Sequence, residues 1–177
     1  MNGEGLAYTG IPSKEELASC PGVPGEERLR KGRTAVIECV QQIPCNPCVE
    51  ACPFGAISIN GGITGLPVLN GEICTGCGKC VPRCPGLAIF LVDLGYSKTE
   101  AAVDFPYEYL PLPKKGDVVD AVDRAGQRIC SGRVVQVLDS PGCDGTRVIR
   151  LAVPREYAGE VRSMGLLERT DSENQET

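Results

Sequence analysis

The chain has 177 residues, of which 42% are hydrophobic, with a formal net charge of −5, 22 glycines, 14 prolines, 11 cysteines and no histidine or tryptophan. This length suits one ordinary domain or two small ones, and a turn-rich chain with few large side chains needs staples, either disulfides or metal. Lack of histidine removes the commonest general base, His-bearing zinc sites and Rieske-type ligation, and an acidic chain without a basic stripe is not built for nucleic acid.

Residues 1–19 have no apolar signal-peptide core and carry Glu4, Lys14, Glu15 and Glu16, and no run of 18 apolar residues is present to span a membrane. That reading places the chain in the cytoplasm, where thiols stay reduced, so dense cysteine points to metal. Residues 1–33 read as an irregular N-terminal extension that docks on a partner or on the rest of the chain. Pro12, Pro21, Gly22, Pro24 and Gly25 break its periodicity, and Ser13 starts a short helical turn.

Residues 34–93 contain an internal repeat. Cys45-x2-Cys48-x3-Cys52-Pro53 returns 32 positions later as Cys77-x2-Cys80-x3-Cys84-Pro85, with Val49 and Val81, Ala56 and Ala88, and Ile57 and Ile89 in register. Each half has an apolar run, a cysteine loop, a helix-compatible stretch and a second apolar run. Halves this small cannot each bury a core, so they would pair about a pseudo-two-fold axis.

The second half opens on Cys74-x2-Cys77-x2-Cys80-x3-Cys84-Pro85. Thiolates are soft ligands suited to iron–sulfur clusters. The tight triplet can wrap three corners of a cubane, and the cysteine before proline turns away toward a second cluster. Gly76 and Gly78 let the backbone approach the inorganic sulfides. A zinc site would call for two separated Cys-x2-Cys pairs instead. In the first half, Gln42 stands where the repeat puts a cysteine, and Cys39 lies three residues upstream. Either a longer loop lets Cys39 ligate, or Cys39 is a core residue of a strand over 34–40 and the first cluster is [3Fe–4S] or absent.

On these motifs, residues 35–92 resemble a bacterial dicluster ferredoxin. The resemblance implies an α+β fold, ferredoxin-like, with two antiparallel β hairpins and two short helices around two [4Fe–4S] clusters. It also implies crossed ligation: Cys39, Cys45, Cys48 and Cys84 on the first cluster, and Cys74, Cys77, Cys80 and Cys52 on the second. Such clusters carry one electron at a time. Lys79 and Arg83 in the second motif, against Glu50 in the first, either raise the potential of the second cluster above that of the first or are simply solvated charges or a docking contact, since exposed charges are heavily screened. The stretch 36–53 is also similar to the ferredoxin-like small subunits of multi-subunit flavin dehydrogenases acting on proline, hydroxyproline or opine-type compounds. That similarity implies FAD-binding partner subunits in a hetero-oligomer, with electrons passing from flavin through the clusters to an external acceptor. A free soluble ferredoxin and a non-redox structural cluster protein are the alternatives.

Residues 94–115, with Pro106, Pro111 and Pro113, read as a linker. Three Val- and Ile-rich runs follow at 117–122, 133–138 and 147–153, separated by turn residues, and predict a small antiparallel β unit within 116–169. A helix is expected from Pro154, and the polar tail 170–177 is expected to be disordered. No phosphate loop, nucleotide fingerprint or acid–base constellation is visible, so no catalytic residue is assigned. Cys20, Cys130 and Cys143 lack spaced partners and read as small buried or half-buried thiols.

Overall fold

Short-range signals shape the first 33 residues more than their prolines suggest. The computed structural model describes residues 3–143 and 145–168, so the tail at 170–177 lies outside the described residues. Three short helices form: α1 (Leu6–Thr9), α2 (Lys14–Ala18) and α3 (Glu26–Arg30). As expected, Ser13 starts α2. Its hydroxyl accepts from the Glu16 N–H at 3.2 Å while the Glu16 carboxylate accepts from the Ser13 N–H at 2.7 Å, a reciprocal cap worth about 1 kcal/mol. The same carboxylate accepts from the Leu6 N–H at 3.0 Å and ties α1 to α2. In α3 the acids Glu26 and Glu27 open the helix and Arg28 and Arg30 close it, matching the helix dipole.

The extension docks on its own chain. The amides of Ile37, Leu69 and Leu94 donate to the carbonyls of Gly22, Pro21 and Leu29 at 2.9, 3.1 and 3.0 Å. Gly22 is required by this approach, since a Cβ there would lie 2.6 Å from the Ile37 carbonyl oxygen.

The described chain is mostly sheet with four short α-helices, a small α+β fold. Seven antiparallel strands form one sheet in the order β1 (Thr34–Ile37), β4 (Ile89–Asp93), β5 (Glu100–Tyr107), β8 (Arg147–Pro154), β7 (Arg128–Leu138), β6 (Val118–Val122) and β9 (Ser163–Met164). A separate pair joins β2 (Ile57–Ile59) to β3 (Pro67–Leu69), and α4 (Pro47–Ala51) precedes it. Among the described residues, no helix is long and apolar enough to cross a membrane.

β1 and β4 carry the architecture because both of their faces are covered. Side chains alternate across a strand. Val36, Phe90 and Val92 therefore enter the larger core with Val103, Phe105, Ile149 and Leu151, whereas Ala35, Ile37, Ile89 and Leu91 enter a second core with Ile57, Cys80 and Val81. Cys39, Cys48, Cys52, Cys74 and Cys84 pack against that second core. Each fully buried Phe, Ile or Leu here contributes about 1.5–3 kcal/mol.

Three expectations are corrected. The stretch 94–115 is not simply a linker, because it contains β5, whose residues after Glu100 are all buried. Pro106 and Asp104 disguise this strand. Pro106 is tolerated because β5 pairs with β4 only over residues 102–104, so beyond that point it has a single neighbour, β8. The second short helix of the repeat is a series of turns, since Pro82 supplies no N–H for a helix and disfavours helical geometry at Val81. Pro47 causes no such difficulty because it sits in the first turn of α4. The helix expected from Pro154 is one 3₁₀ turn, Arg155–Tyr157, followed by β9. The three expected strands of the C-terminal unit are present as β6, β7 and β8.

Candidate metal centre

All eleven cysteines are free, and eight of them line two small cavities on the side of β1 and β4 away from the larger core. Cys39, Cys45, Cys48 and Cys84 line one cavity, with Ile37, Ile59 and Ile89 among its apolar walls. Cys52, Cys74, Cys77 and Cys80 line the other, with Ile57 and Leu91. The last cysteine of each motif therefore leaves its own loop and faces the opposite cavity. Gln42 is exposed and lines neither, while Cys39, just past the end of β1, lies on the wall of the first. Cys20 is buried beside it, and its thiol donates to the carbonyls of Ile37 at 3.2 Å and Cys39 at 3.5 Å.

The repeat is written into local hydrogen bonding. The sulfur of Cys52 accepts from the Ala56 N–H at 3.2 Å, and that of Cys84 from the Ala88 N–H at 3.5 Å. The Ala56 carbonyl accepts from the Asn70 N–H, and the Ala88 carbonyl from the Glu38 N–H, both at 2.8 Å. After each Cys-Pro the chain passes through the left-handed region, at Gly55 (φ 65°) and at Leu87 (φ 51°). Leu87 adopts that backbone without the licence of glycine, a strain of the kind that persists where surrounding structure demands it.

Gly76 and Gly78 both line the second cavity and both have positive φ, 66° and 82°. A Cβ on Gly76 would lie 2.3 Å from the Arg33 carbonyl oxygen, and one on Gly78 would lie 3.1 Å from Leu91 Cδ1 and 3.4 Å from Arg33 Nη2. These glycines thus also let the second motif pack on the start of β1, a reason the motif alone does not reveal. Arg28 secures the same loop: its Nε donates to the Gly71 carbonyl at 2.6 Å and its Nη2 to the Cys74 carbonyl at 2.7 Å.

Charged residues at both ends of β1 were not legible as part of the site. Asp104, buried in β5, is paired with Arg33 and with Arg150, the latter at 2.9 Å. Glu38, the residue before Cys39, is held by Arg124 and Arg162. Burial alone would raise the Glu38 carboxyl, but the hydrogen bonds and charges of those two arginines hold it below the ordinary carboxylate range. These partners lie 86 and 124 positions away, so no spacing rule finds them.

As free thiols, several of the cysteines are hard to ionise. Burial, reinforced by neighbouring sulfurs, pushes Cys48 up to about 11 and Cys80 up to about 12. Such groups become thiolates only when a cation compensates the charge. The eight sulfurs line cavity walls instead of meeting at a point: among the described residues, no three Cys, Asp or Glu side chains group as a single metal ion would require. Soft donors spaced around a cavity suit a multi-atom iron–sulfur cluster, and the residues present fit one in each cavity.

Comparison with known proteins agrees. Residues 38–88 match the family model of the 4Fe-4S dicluster domain. An uncharacterized ferredoxin of Methanocaldococcus jannaschii is 40% identical over 87 residues, 48% of this chain and 54% of that protein. The polyferredoxin-like subunit of an aliphatic sulfonate oxidoreductase of Pyrococcus furiosus is 52% identical over 48 residues, 27% of each chain. One subunit of a Na(+)-translocating ferredoxin:NAD(+) oxidoreductase complex of Acetobacterium woodii is 51% identical over 45 residues, 25% of this chain and 13% of that one. The chain spans about half or less of the length of these curated relatives. Residues 38–88 are a dicluster ferredoxin domain, and its cofactors are two [4Fe–4S] clusters.

Proposed function

We propose that this chain is the electron-transfer subunit of a larger oxidoreductase, relaying single electrons through two [4Fe–4S] clusters. Cys39, Cys45, Cys48 and Cys84 hold the first cluster, and Cys74, Cys77, Cys80 and Cys52 hold the second. The carrying observation is the division of eight cysteines between two cavities with Cys52 and Cys84 exchanged. Hydrogen bonds repeated at 32-residue intervals support a pseudo-two-fold relation between the halves. The clusters supply one-electron chemistry when bound. The chain's own residues exclude water with apolar walls, hold the sulfurs just past β1, in and beside α4 and on the second motif, and brace both motifs against the large sheet.

The domain matched to dicluster ferredoxins covers 38–88, so most of the chain lies outside it. Extra structure around a compact carrier suits a subunit, and two of the relatives are named as subunits of oxidoreductases. The partner we infer is a flavin-containing dehydrogenase that carries the substrate site, with an external acceptor beyond the clusters. Two experiments test the reading. An EPR-monitored redox titration of the loaded protein is expected to show two reducible four-iron clusters, and clusters that dithionite cannot reduce would leave a structural role. Purification from the native source is expected to bring flavoprotein partners, and elution alone, fully loaded and stable, would leave a free ferredoxin.

A further inference from the structure

In the first half of the repeat, the cysteine expected at position 42 is absent and Cys39 follows directly after Glu38 at the end of β1. Glu38 is gripped from outside the cluster-carrying segment. Arg124, in the turn between β6 and β7, donates Nε to Oε2 at 2.7 Å and Nη2 to Oε1 at 2.6 Å. Arg162, just before β9, donates Nε to Oε1 at 2.8 Å.

Both arginines are themselves fixed. Arg162 donates Nη1 to the carbonyls of Ala158 and Val161 at 3.1 and 2.6 Å, and its guanidinium stands 5.1 Å from the centre of the Phe90 ring. Arg124 also donates to the Glu160 carboxylate at 3.3 Å and the Gly159 carbonyl at 3.1 Å. The side chains of Glu38, Arg162 and Arg124 are only 6, 7 and 15% exposed, so the fork geometry is shielded from solvent. The backbone is caught as well, by the Glu38 N–H on the Ala88 carbonyl and by the Cys20 thiol on the carbonyls flanking Glu38.

The second half manages without such a bracket. The position equivalent to Glu38 is Asn70, its first cysteine comes four residues later, and Arg28 holds that cysteine's carbonyl directly. We propose that Glu38, Arg124 and Arg162 are positioning residues for Cys39, so that the C-terminal β unit holds the end of β1 where a displaced thiolate completes the first cluster. This rests on the reading that Cys39 is a ligand. Outer partners that orient metal ligands are worth about 10- to 100-fold in metal retention. Removing one partner of a buried pair also leaves an uncompensated charge, which drives the strand end to move.

The test uses the full chain, reconstituted anaerobically with both clusters. Glu38→Gln, Arg124→Lys and Cys39→Ala are compared for iron content, for the rate of Fe²⁺ release to a chelator and for EPR. Release of one Fe²⁺ from an oxidised [4Fe–4S]²⁺ core leaves a neutral [3Fe–4S] core, which ferricyanide oxidises by one electron to an EPR-active form. Glu38→Gln and Arg124→Lys are expected to release one iron about 10- to 100-fold faster than wild type and to give the three-iron signal, with the second cluster intact and the circular dichroism unchanged. A variant that only loosened the fold would lose both clusters together, and that result overturns the proposal. Should Glu38→Gln fail to fold, Arg124→Lys decides, since it keeps the charge and loses only the fork. If Cys39→Ala gives the three-iron signal and the other variants retain iron at the wild-type rate, the positioning role falls and the ligand assignment stands. If Cys39→Ala itself keeps all its iron, the ligand assignment falls and the positioning role falls with it.

Discussion

Gly76→Ala isolates the contact between the second cysteine motif and β1. Two separate effects act at this position. At φ 66° an L-residue pays the left-handed penalty of about 1–2 kcal/mol. The new methyl would also lie 2.3 Å from the Arg33 carbonyl oxygen and 2.8 Å from its carbonyl carbon, which are backbone atoms at the start of a buried strand. Such overpacking costs about 1–3 kcal/mol more. Gly61→Ala is the control, because its φ is 80° and a Cβ there meets nothing within 4 Å, leaving only the backbone penalty. The assay is loss of the visible cluster absorbance in denaturant under anaerobic conditions. Strain relieved on opening appears mainly in the unfolding rate, and each 1.36 kcal/mol is a factor of ten. Gly61→Ala should therefore bleach about tenfold faster than wild type, and Gly76→Ala about a hundredfold or more. Equal rates for the two variants would refute the idea that the motif is seated on the Arg33 carbonyl.

Three further outcomes follow from the same geometry. Asp104→Ala removes the carboxylate shared by Arg33 and Arg150, leaving two cations at a buried site, and should cost about 3–5 kcal/mol, or a fall of roughly 10 °C in melting temperature; a fall of a degree or less would make that network dispensable. Lys79 is exposed, so Lys79→Gln should lower the midpoint of the second cluster at low ionic strength and lose that effect in concentrated salt; an unchanged low-salt midpoint removes the proposed electrostatic cause. Since burial holds the Cys48 and Cys80 thiols up at about 11 and 12, both are protonated near neutrality before a cluster binds, and on the ligation proposed above each must release a proton. Cluster retention should therefore weaken as pH falls from 8 to 6, by about tenfold per pH unit for each such ligand, whereas chelator-driven cluster loss at a constant rate across this range would contradict that coupling.

The cysteine pattern was legible because iron–sulfur ligation is a matter of short spacing. Triplets two and three residues apart are brought together by one loop, and the cysteine before each proline is the one that the resemblance to dicluster ferredoxins sends to the other cluster. The Val- and Ile-rich strands β6, β7 and β8 and the Ser13 cap were legible for the same local reason. β5 was not. Its Pro106 and Asp104 are strand-breaking by composition, and they are tolerated only because one lies where pairing is single and the other is met by two arginines from outside β5.

By itself, then, the sequence determined the chemistry of the centre: soft thiolate donors at cluster spacing, repeated once, with the place of Cys39 left open between ligand and strand core. Only the tertiary structure decided how that centre is held. Position 39 follows a strand end whose carboxylate is clasped by arginines 86 and 124 residues later, and Gly76 meets a carbonyl at the start of β1. Ligand type and loop spacing are properties of neighbouring residues. A buried charge has no partner until the sheet folds and brings distant strands to the same place.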